Sequence, residues 1–449
     1  MDGRAQVVAL ASVAAAVHLG LVGLGDLKRN VALFLCADAV LVAIMVLAWR
    51  CVRTDATGYR VAIWAALGFR LVAALGEPSL SDDVYRYLWD GRVQLHGVHP
   101  YAHAPVDDAL TDLRDADWAR INHPDLRTIY PPLAEWTFAA IAATGTGVRG
   151  FQLAFGLLDF GVVLALAWLL RARGLPGDRI VLYAWNPLAI LETAGSGHVE
   201  PLGVSLVVLA AVWIAADRRG LAAAALGGAI QAKLLPLLLV PAALRRLRSR
   251  HACVLAMVCI GLVVPYAVAG PAFGDGLASY AARWEFNAFG FAAVRGALVA
   301  IDSGPTLAPA VDALRSRLGD CGIPWNLAYR LVWPEPLARL VVALLVGGWA
   351  VAVAFRRIPE PSREALLVLG AVLLLAPTVH PWYALWILPF AAVHASIPWL
   401  AFGALVPLAY TAQVGDVTWP VRCLEYGPLC ALLLHEVTRR SMARPIRHW

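Results

Sequence analysis

Charge is what this 449-residue sequence has least of: Asp, Glu, Lys and Arg make up 15% of it, against 60% hydrophobic residues. A soluble chain of this length carries about a quarter charged residues. An ordinary water-facing surface is therefore excluded, and lipid must cover what polar side chains do not. Lysine is nearly absent, with Lys28 and Lys233 the only two among 37 basic residues. The seven cysteines, Cys36, Cys51, Cys253, Cys259, Cys321, Cys423 and Cys430, form no CxxC pair and have no neighbouring histidine at metal-ligand spacing. No structural zinc or disulfide framework is implied. No Walker motif and no GxGxxG following a strand is present, so neither ATP nor a dinucleotide is indicated. No internal repeat is visible, which disfavours a carrier of two repeated halves.

What is present is one apolar run after another, with a mean hydropathy of +0.67. Many reach the roughly 20 residues needed to cross a bilayer as helix. The first, Val7 to Leu24, lacks a small-residue cleavage pattern and reads as a retained span. The net charge of +6 does not imply nucleic acid, because the arginines sit in short clusters between apolar runs. Placing those clusters (Arg50 to Arg60, Arg171 to Arg179, Arg218/Arg219, Arg245 to Arg250, Arg356/Arg357 and Arg439 to Arg447) in the cytoplasm gives one consistent path. It predicts an all-α polytopic membrane protein, a single integral domain over residues 1–449 with about twelve transmembrane helices. Both termini are cytoplasmic. A long external loop spans 77–147, with short interfacial helices including 131–147, and a second spans 271–335. Lys233 and Pro236 interrupt the run 220–243, which reads as a re-entrant or paired-helix hairpin.

The first external loop opens with Ser79-Leu80-Ser81-Asp82-Asp83-Val84-Tyr85-Arg86-Tyr87-Leu88-Trp89-Asp90-Gly91-Arg92. Ser81 suits an N-cap, the aspartates suit the first turn, and Gly97 with Pro100 ends the helix. Asp82, Arg86 and Asp90, spaced by four, share one face. Asp83 is rotated about 100 degrees from Asp82 and is free to do something other than pair with Arg86. Two acidic residues at a helix start are ordinarily capping residues in solvated headgroup space. Here they have company: Asn122, His123, Arg127 and Tyr130 close the same loop, and Gly195-Ser196-Gly197-His198-Val199-Glu200 breaks an apolar run. Lys233 lies within another such run, and His380-Pro381-Trp382-Tyr383 separates two more. Each alone has a plain reading, as interfacial anchor, turn residue or snorkelling lysine. An ionisable residue inside a membrane segment is nevertheless a functional hypothesis by default, and the topology brings these groups to one external face.

Such a set suits group transfer. A carboxylate above the membrane can deprotonate an acceptor hydroxyl, while Lys and Arg neutralise a phosphate leaving group. Outside the cytoplasm no nucleotide sugar is available, so the donor would be a sugar on a polyprenyl phosphate. Trp and Tyr at the loop edges would hold sugar rings and the lipid headgroup.

The acidic loop opening, Tyr85-Arg86-Tyr87-Leu88-Trp89-Asp90-Gly91-Arg92, Gly97-x-x-Pro100-Tyr101 and Tyr130-Pro131-Pro132-Leu133 resemble the GT-C superfamily of polyprenyl-phosphate-sugar-dependent glycosyltransferases. The likeness is closest to its mannosyltransferases, including the enzyme adding the first GPI mannose and actinobacterial lipoglycan enzymes. It continues through Asn186-Pro187, Gly197-His198-x-Glu200, Lys233-Leu-Leu-Pro236 and His380-x-Trp382-Tyr383, covering most of the chain in order. The resemblance implies transfer of a hexose, mannose by preference, to a lipid or glycan acceptor at the outer face of a plasma membrane. Aligning Gly97-x-x-Pro100-Tyr101 puts the family's second loop aspartate on Asp83 and its first on Ser81, leaving Asp82 without a counterpart. Asp83 is then the general base, with Asp82 and His380 as further catalytic candidates. Lys233 is implied to contact the donor phosphate. Arg86, Arg92, Arg127, Tyr130, His198, Glu200, Trp382 and Tyr383 are candidates for substrate binding. Family members commonly invert the anomeric centre, many without a tightly bound metal. A divalent ion at Asp82 and Asp83 has weak support without a third carboxylate nearby.

Two other readings use the same residues. A transporter or flippase of lipid-linked sugars would also explain an intramembrane lysine, but it rarely needs two external segments of over fifty residues. A ligase moving a whole oligosaccharide or a pentose would present the same base and phosphate contacts.

Overall fold

The computed structural model describes residues 3–54, 58–267, 272–319, 322–412 and 416–442. Cys321 and the basic tail up to Arg447 lie outside them. Among the described residues the chain is helical, with no strand beyond an isolated bridge between Phe286 and Thr378.

Among the described residues five helices are long and apolar enough to cross a membrane: Gly3–Leu24, Val31–Val52, Val148–Ala172, Ser249–Ala267 and Pro334–Phe355. Shorter apolar helices include Glu200–Ala215 and Ile397–Leu405. The expected twelve full-length spans are thus not what the helix lengths display. Proline and glycine cut several apolar runs into pieces, and Pro187, Pro236 and Pro389 each sit at the start of a short segment. The first helix shows why lipid is the fitting solvent. Val7, Ala14, His18 and Leu21 turn inward at helical spacing. Val8, Val13 and Leu19 on the other side stay exposed, as do Met257, Ile260, Leu344 and Phe355 on later helices. That much apolar surface on a monomer marks an interface rather than a water-facing exterior.

One buried ion pair crosses the bundle. Arg70, 1% exposed, donates Nε to Asp159 Oδ2 at 2.8 Å and Nη1 to the carbonyls of Ala66 and Ala184 at 2.9 and 3.0 Å. The Tyr183 hydroxyl donates to the other oxygen of Asp159. The pair joins the Gly58–Ala73 and Val148–Ala172 helices to the turn at 181–184.

The helices run between two chemically different ends. Val148–Ala172 starts beside Gly76 and Gly195, where Gln152 donates to both carbonyls, and finishes at Arg173, paired with Glu360 at 3.2 Å. Arg219–Ala232 starts at Arg219, which reaches the Arg246 carbonyl at 3.3 Å, and finishes at Lys233. Pro361–Leu375 starts beside Glu360 and leads to 376–383. One end therefore gathers Arg173, Arg219, Arg245 and Arg246 around Glu360 and Glu364. The other holds residues 76–83, 195–199, Lys233 and 376–383.

Short helices sit in both long loops. The first carries Asp83–Leu95, short 3-10 turns at 108–113 and 118–120, and Pro132–Ala142. The second carries Asp275–Arg283, Gly290–Ala300, Ser303–Leu318 and Trp325–Leu331. Asp83–Leu95 opens later than a Ser81 cap would give: Asp82 is the cap residue, and the Ser81 hydroxyl accepts the Asp83 N–H at 3.2 Å. It ends at Gly97, with φ +75°. It packs against Pro132–Ala142 through Tyr87 and Phe138, stacked at 4.6 Å. The approach is so close that a Cβ on Gly91 would lie 2.5 Å from the Phe138 carbonyl oxygen. Gly91→Val is expected to cost about 1–3 kcal/mol through overpacking, lowering Tm in detergent by several degrees. Gly347→Val, where a Cβ meets nothing within 4 Å, should leave Tm nearly unchanged.

Candidate active site

A cavity of about 640 Å³ opens at the end away from the arginines. Its polar side is made by Asp83, Asn122, Glu200 and Lys233, and its apolar side by Leu235, Leu369, Val372 and Leu373. Asp82, Arg86, Arg127, Tyr130, His380, Trp382 and Tyr383 also line it. Arg92 and His198 do not.

The two aspartates have parted company. Asp82 is turned outward, 3.6 Å from Lys28 Nζ, in a pair about half exposed. Asp83 is turned inward with a side chain 21% exposed. Its Oδ1 accepts the Asn122 amide at 2.7 Å, and its Oδ2 lies 3.8 Å from His198 Nδ1. The rotation of one position on a helix accounts for the split. Asp82 and Asp83 therefore present no common oxygen face to a cation. Among the described residues no three His, Cys, Asp or Glu side chains gather as a metal-ligand set.

Beneath Asp83, Arg86 Nε donates to both oxygens of Asp90, at 2.8 and 3.0 Å, and Nη1 donates to the Leu126 carbonyl at 2.9 Å. Arg86 thus fastens the 122–131 strap that carries Asn122. Arg92 faces the other way, to Asp115 and Asp117. Arg127 pairs with Asp275 at 3.0 Å on the exposed rim. Tyr130 gives its carbonyl to the Tyr101 hydroxyl at 2.5 Å and packs edge-on to Tyr87 at 5.1 Å.

Lys233 ends its helix in extended conformation and reaches the buried carboxylate of Glu200. Its ammonium lies 4.3 Å over the Tyr383 ring, an aromatic contact of the cation–π kind. Tyr383 is hydrogen-bonded to Tyr280 at 2.7 Å, which ties the cavity to the second loop. His380 is stacked between Phe286 at 4.5 Å and Trp382 at 4.4 Å. Burial, with Lys233 and then His198 nearby, lowers its pKa to about 3. The ring is neutral at physiological pH, so it offers stacking area and a lone pair, not charge. Trp382 stacks in turn on His198 at 4.0 Å.

His198 is wholly buried behind Asp83, with Nε2 3.3 Å from Glu192. Glu192 is not among the residues singled out by sequence, and Lys28 stands out there only as one of two lysines, not as a site residue. Glu192 has a signal that would have found it: an acidic residue inside the apolar run 181–195. Lys28 has none, being one polar residue in a short turn.

Helices of spanning length, and a cavity lined by apolar side chains together with a few charged ones, define a polytopic membrane protein with a site at one end of its bundle. Residues 4–249 match the MptA_B family, described as alpha-(1->6)-mannopyranosyltransferase, N-terminal domain. The match covers more than half of the chain, and the protein belongs to that family. It is a glycosyltransferase of the α-mannosyltransferase kind, in keeping with the likeness read from the sequence. No curated protein matches the chain.

Behind Arg86, below the cavity lining, lies another buried acid beside Asp90. Glu135 accepts from Thr128 Oγ1 at 2.6 Å and from Gln94 at 2.9 Å. Burial, then the Asp90 charge, holds its pKa well above the ordinary glutamate value. Burial also raises Asp90, but Arg86 favours its ionised form, so the proton resides on Glu135. A folded pKa above the unfolded one gives stability that is present at low pH and declines as pH rises past the ordinary glutamate range. Tm in detergent should therefore fall as pH rises above the ordinary glutamate range, and Glu135→Gln should flatten that slope. An unchanged slope in the variant would contradict the assignment.

Proposed function

We propose that the protein moves a mannosyl unit from a polyprenyl-phosphate donor to a lipid or glycan acceptor, in the manner of GT-C enzymes, with Asp83 as general base. The observation that carries the reading is the inward-turned Asp83. Its carboxylate is oriented by Asn122 inside a cavity with one polar and one apolar side.

In this reading the acceptor hydroxyl lies against Asp83. The hydroxyl oxygen attacks the anomeric carbon, its proton passes to Asp83, and the bond from that carbon to the phosphate oxygen breaks. Direct displacement inverts the anomeric centre. A positioned base of this kind contributes about 10²–10⁴-fold. The leaving phosphate carries its negative charge toward Lys233. Glu200 already offsets that lysine, and Lys28 and Arg29, which also line the cavity, are paired with Asp82 and Asp26 in turn, so a phosphate would have to share each cation with its carboxylate. Leu235, Leu369, Val372 and Leu373 give the polyprenyl chain an apolar surface. Trp382, Tyr383 and the neutral His380 give sugar rings aromatic faces.

The placement of the arginines supports an external site. Short basic loops stay cytoplasmic, and Arg173, Arg219, Arg245 and Arg246 gather at the end opposite the cavity. A lipid-linked donor then follows, since nucleotide sugars are not found on that side. Both termini are cytoplasmic in the same scheme.

Asp83→Asn should lower transfer by about two to four orders of magnitude with Tm retained, whereas Asp82→Asn should cost less than about threefold, its exposed pair with Lys28 being weak. The measurement is incorporation of radiolabelled mannose from polyprenyl-phosphate-mannose by purified protein. Equal activity of Asp83→Asn and wild type would move the base elsewhere. Export of donor without transfer would favour a transporter.

A further inference from the structure

The buried histidine behind Asp83 is held too elaborately for a filler of the core. Its ring is wholly buried between two acids, with Nδ1 3.8 Å from Asp83 Oδ2 and Nε2 3.3 Å from Glu192 Oε2. Glu192 is itself 0% exposed, and its other oxygen accepts the Tyr410 hydroxyl at 2.5 Å. The ring is clamped against Trp382, and the His198 N–H donates to the Glu192 carbonyl at 3.1 Å. Two local features make this fold-back. Residues Leu191–Gly195 form a π-helical turn, a rare distortion often found at functional sites. Gly197 follows at φ +73°, where a Cβ would also lie 3.0 Å from Val84. A side chain there would be strained and would press on the helix bearing Asp83.

We infer that His198 and Glu192 form a positioning pair for Asp83, with Tyr410 fixing Glu192, Glu192 fixing the ring, and the ring fixing the second oxygen of the base. The inference rests on Asp83 being the base. Asn122 holds Oδ1 by a hydrogen bond, and His198 Nδ1 faces Oδ2 at 3.8 Å, an electrostatic contact longer than a hydrogen bond. The charged groups around the ring come from every side: Asp83 on the first external helix, Glu192 on the π turn and Glu200 on the following helix. Lys233 and the neutral His380 lie beyond Trp382. Burial opposes a charge on the ring, but the three carboxylates outweigh it and favour the imidazolium. An imidazolium sets positive charge between both acids at once, at ion-pair distances of 3.8 and 3.3 Å, whereas a neutral ring carries none. Positioning should therefore fail as pH rises and the ring loses its proton.

The test is the pH dependence of kcat for Glu192→Gln and Tyr410→Phe beside wild type, with polyprenyl-phosphate-mannose as donor. Glu192→Gln should lower kcat roughly 10- to 100-fold, as loss of an outer-shell partner commonly does, with KM for both substrates little changed. Its alkaline limb should move about one pH unit lower, since one of the stabilising carboxylates is gone. Tyr410→Phe keeps every charge and should lower kcat by a smaller factor. It also serves as the arbiter if Glu192→Gln does not fold. Wild-type kcat and an unmoved limb in the folded variants, with Asp83→Asn inactive, would overturn the positioning role alone. An active Asp83→Asn would overturn the base assignment and this inference together.

Discussion

The Arg86–Asp90 ion pair lies in the floor of the cavity, and the arrangement above it depends on that pair. Both side chains are almost fully buried, where an unpartnered charge would cost several kcal/mol. Arg86 cannot leave Asp90, and it also holds the Leu126 carbonyl. One guanidinium therefore fixes the helix that carries Asp83 and the strap that carries Asn122. Glu135, on the neighbouring helix, closes the same network by accepting from Thr128 of the strap and from Gln94 of the helix that carries Asp83. Tyr266, hydrogen-bonded to Gln94 at 2.8 Å, extends it to the Ser249–Ala267 helix. Asp83 sits at the first turn of a helix that has little freedom left.

Above that floor the cavity separates its charges. Asp83 faces inward with neutral and cationic partners, while Asp82 is neutralised at the mouth by Lys28. Lys233 is balanced by Glu200 and covered by Tyr383. The net result is that each cation lining the cavity has its own carboxylate, while Asp83 has none of them as a partner; the proposed base is thus the carboxylate without a Lys or Arg against it. The stacked rings of Phe286, His380, Trp382 and His198 form one aromatic column from the second loop to the back of the site. Phe286 brings the second loop into that column, and His198 at its other end lies behind Asp83.

What the sequence made legible was local. The four-residue spacing of Arg86 and Asp90, the rotation that frees Asp83, the Gly97 stop and the exceptional Lys233 follow from helix geometry and from the cost of charge in lipid. The missing parts are contacts between distant segments. Arg70 and Asp159 are 89 positions apart, Asp83 and Asn122 are 39, and Glu192 and Tyr410 are 218; no periodicity encodes such pairs. Helix lengths were misread for a related reason. Apolar composition identifies lipid-compatible segments, but the prolines and the π turn at 191–195 break them where packing or the site requires, and only five long spans survive as single helices. Arg92 was grouped with the site by its neighbours in sequence, and its side chain emerges on the opposite face toward Asp115 and Asp117.

The central claim is that a lipid-linked sugar, and not a nucleotide sugar, is the donor at this cavity. The most direct measurement supplies purified protein in proteoliposomes with radiolabelled mannose on either polyprenyl phosphate or a nucleotide, and follows the mannosylated acceptor. The account predicts product from the polyprenyl donor alone, carrying a new α-(1→6) linkage by NMR. Product from the nucleotide donor, with none from the lipid, would contradict it.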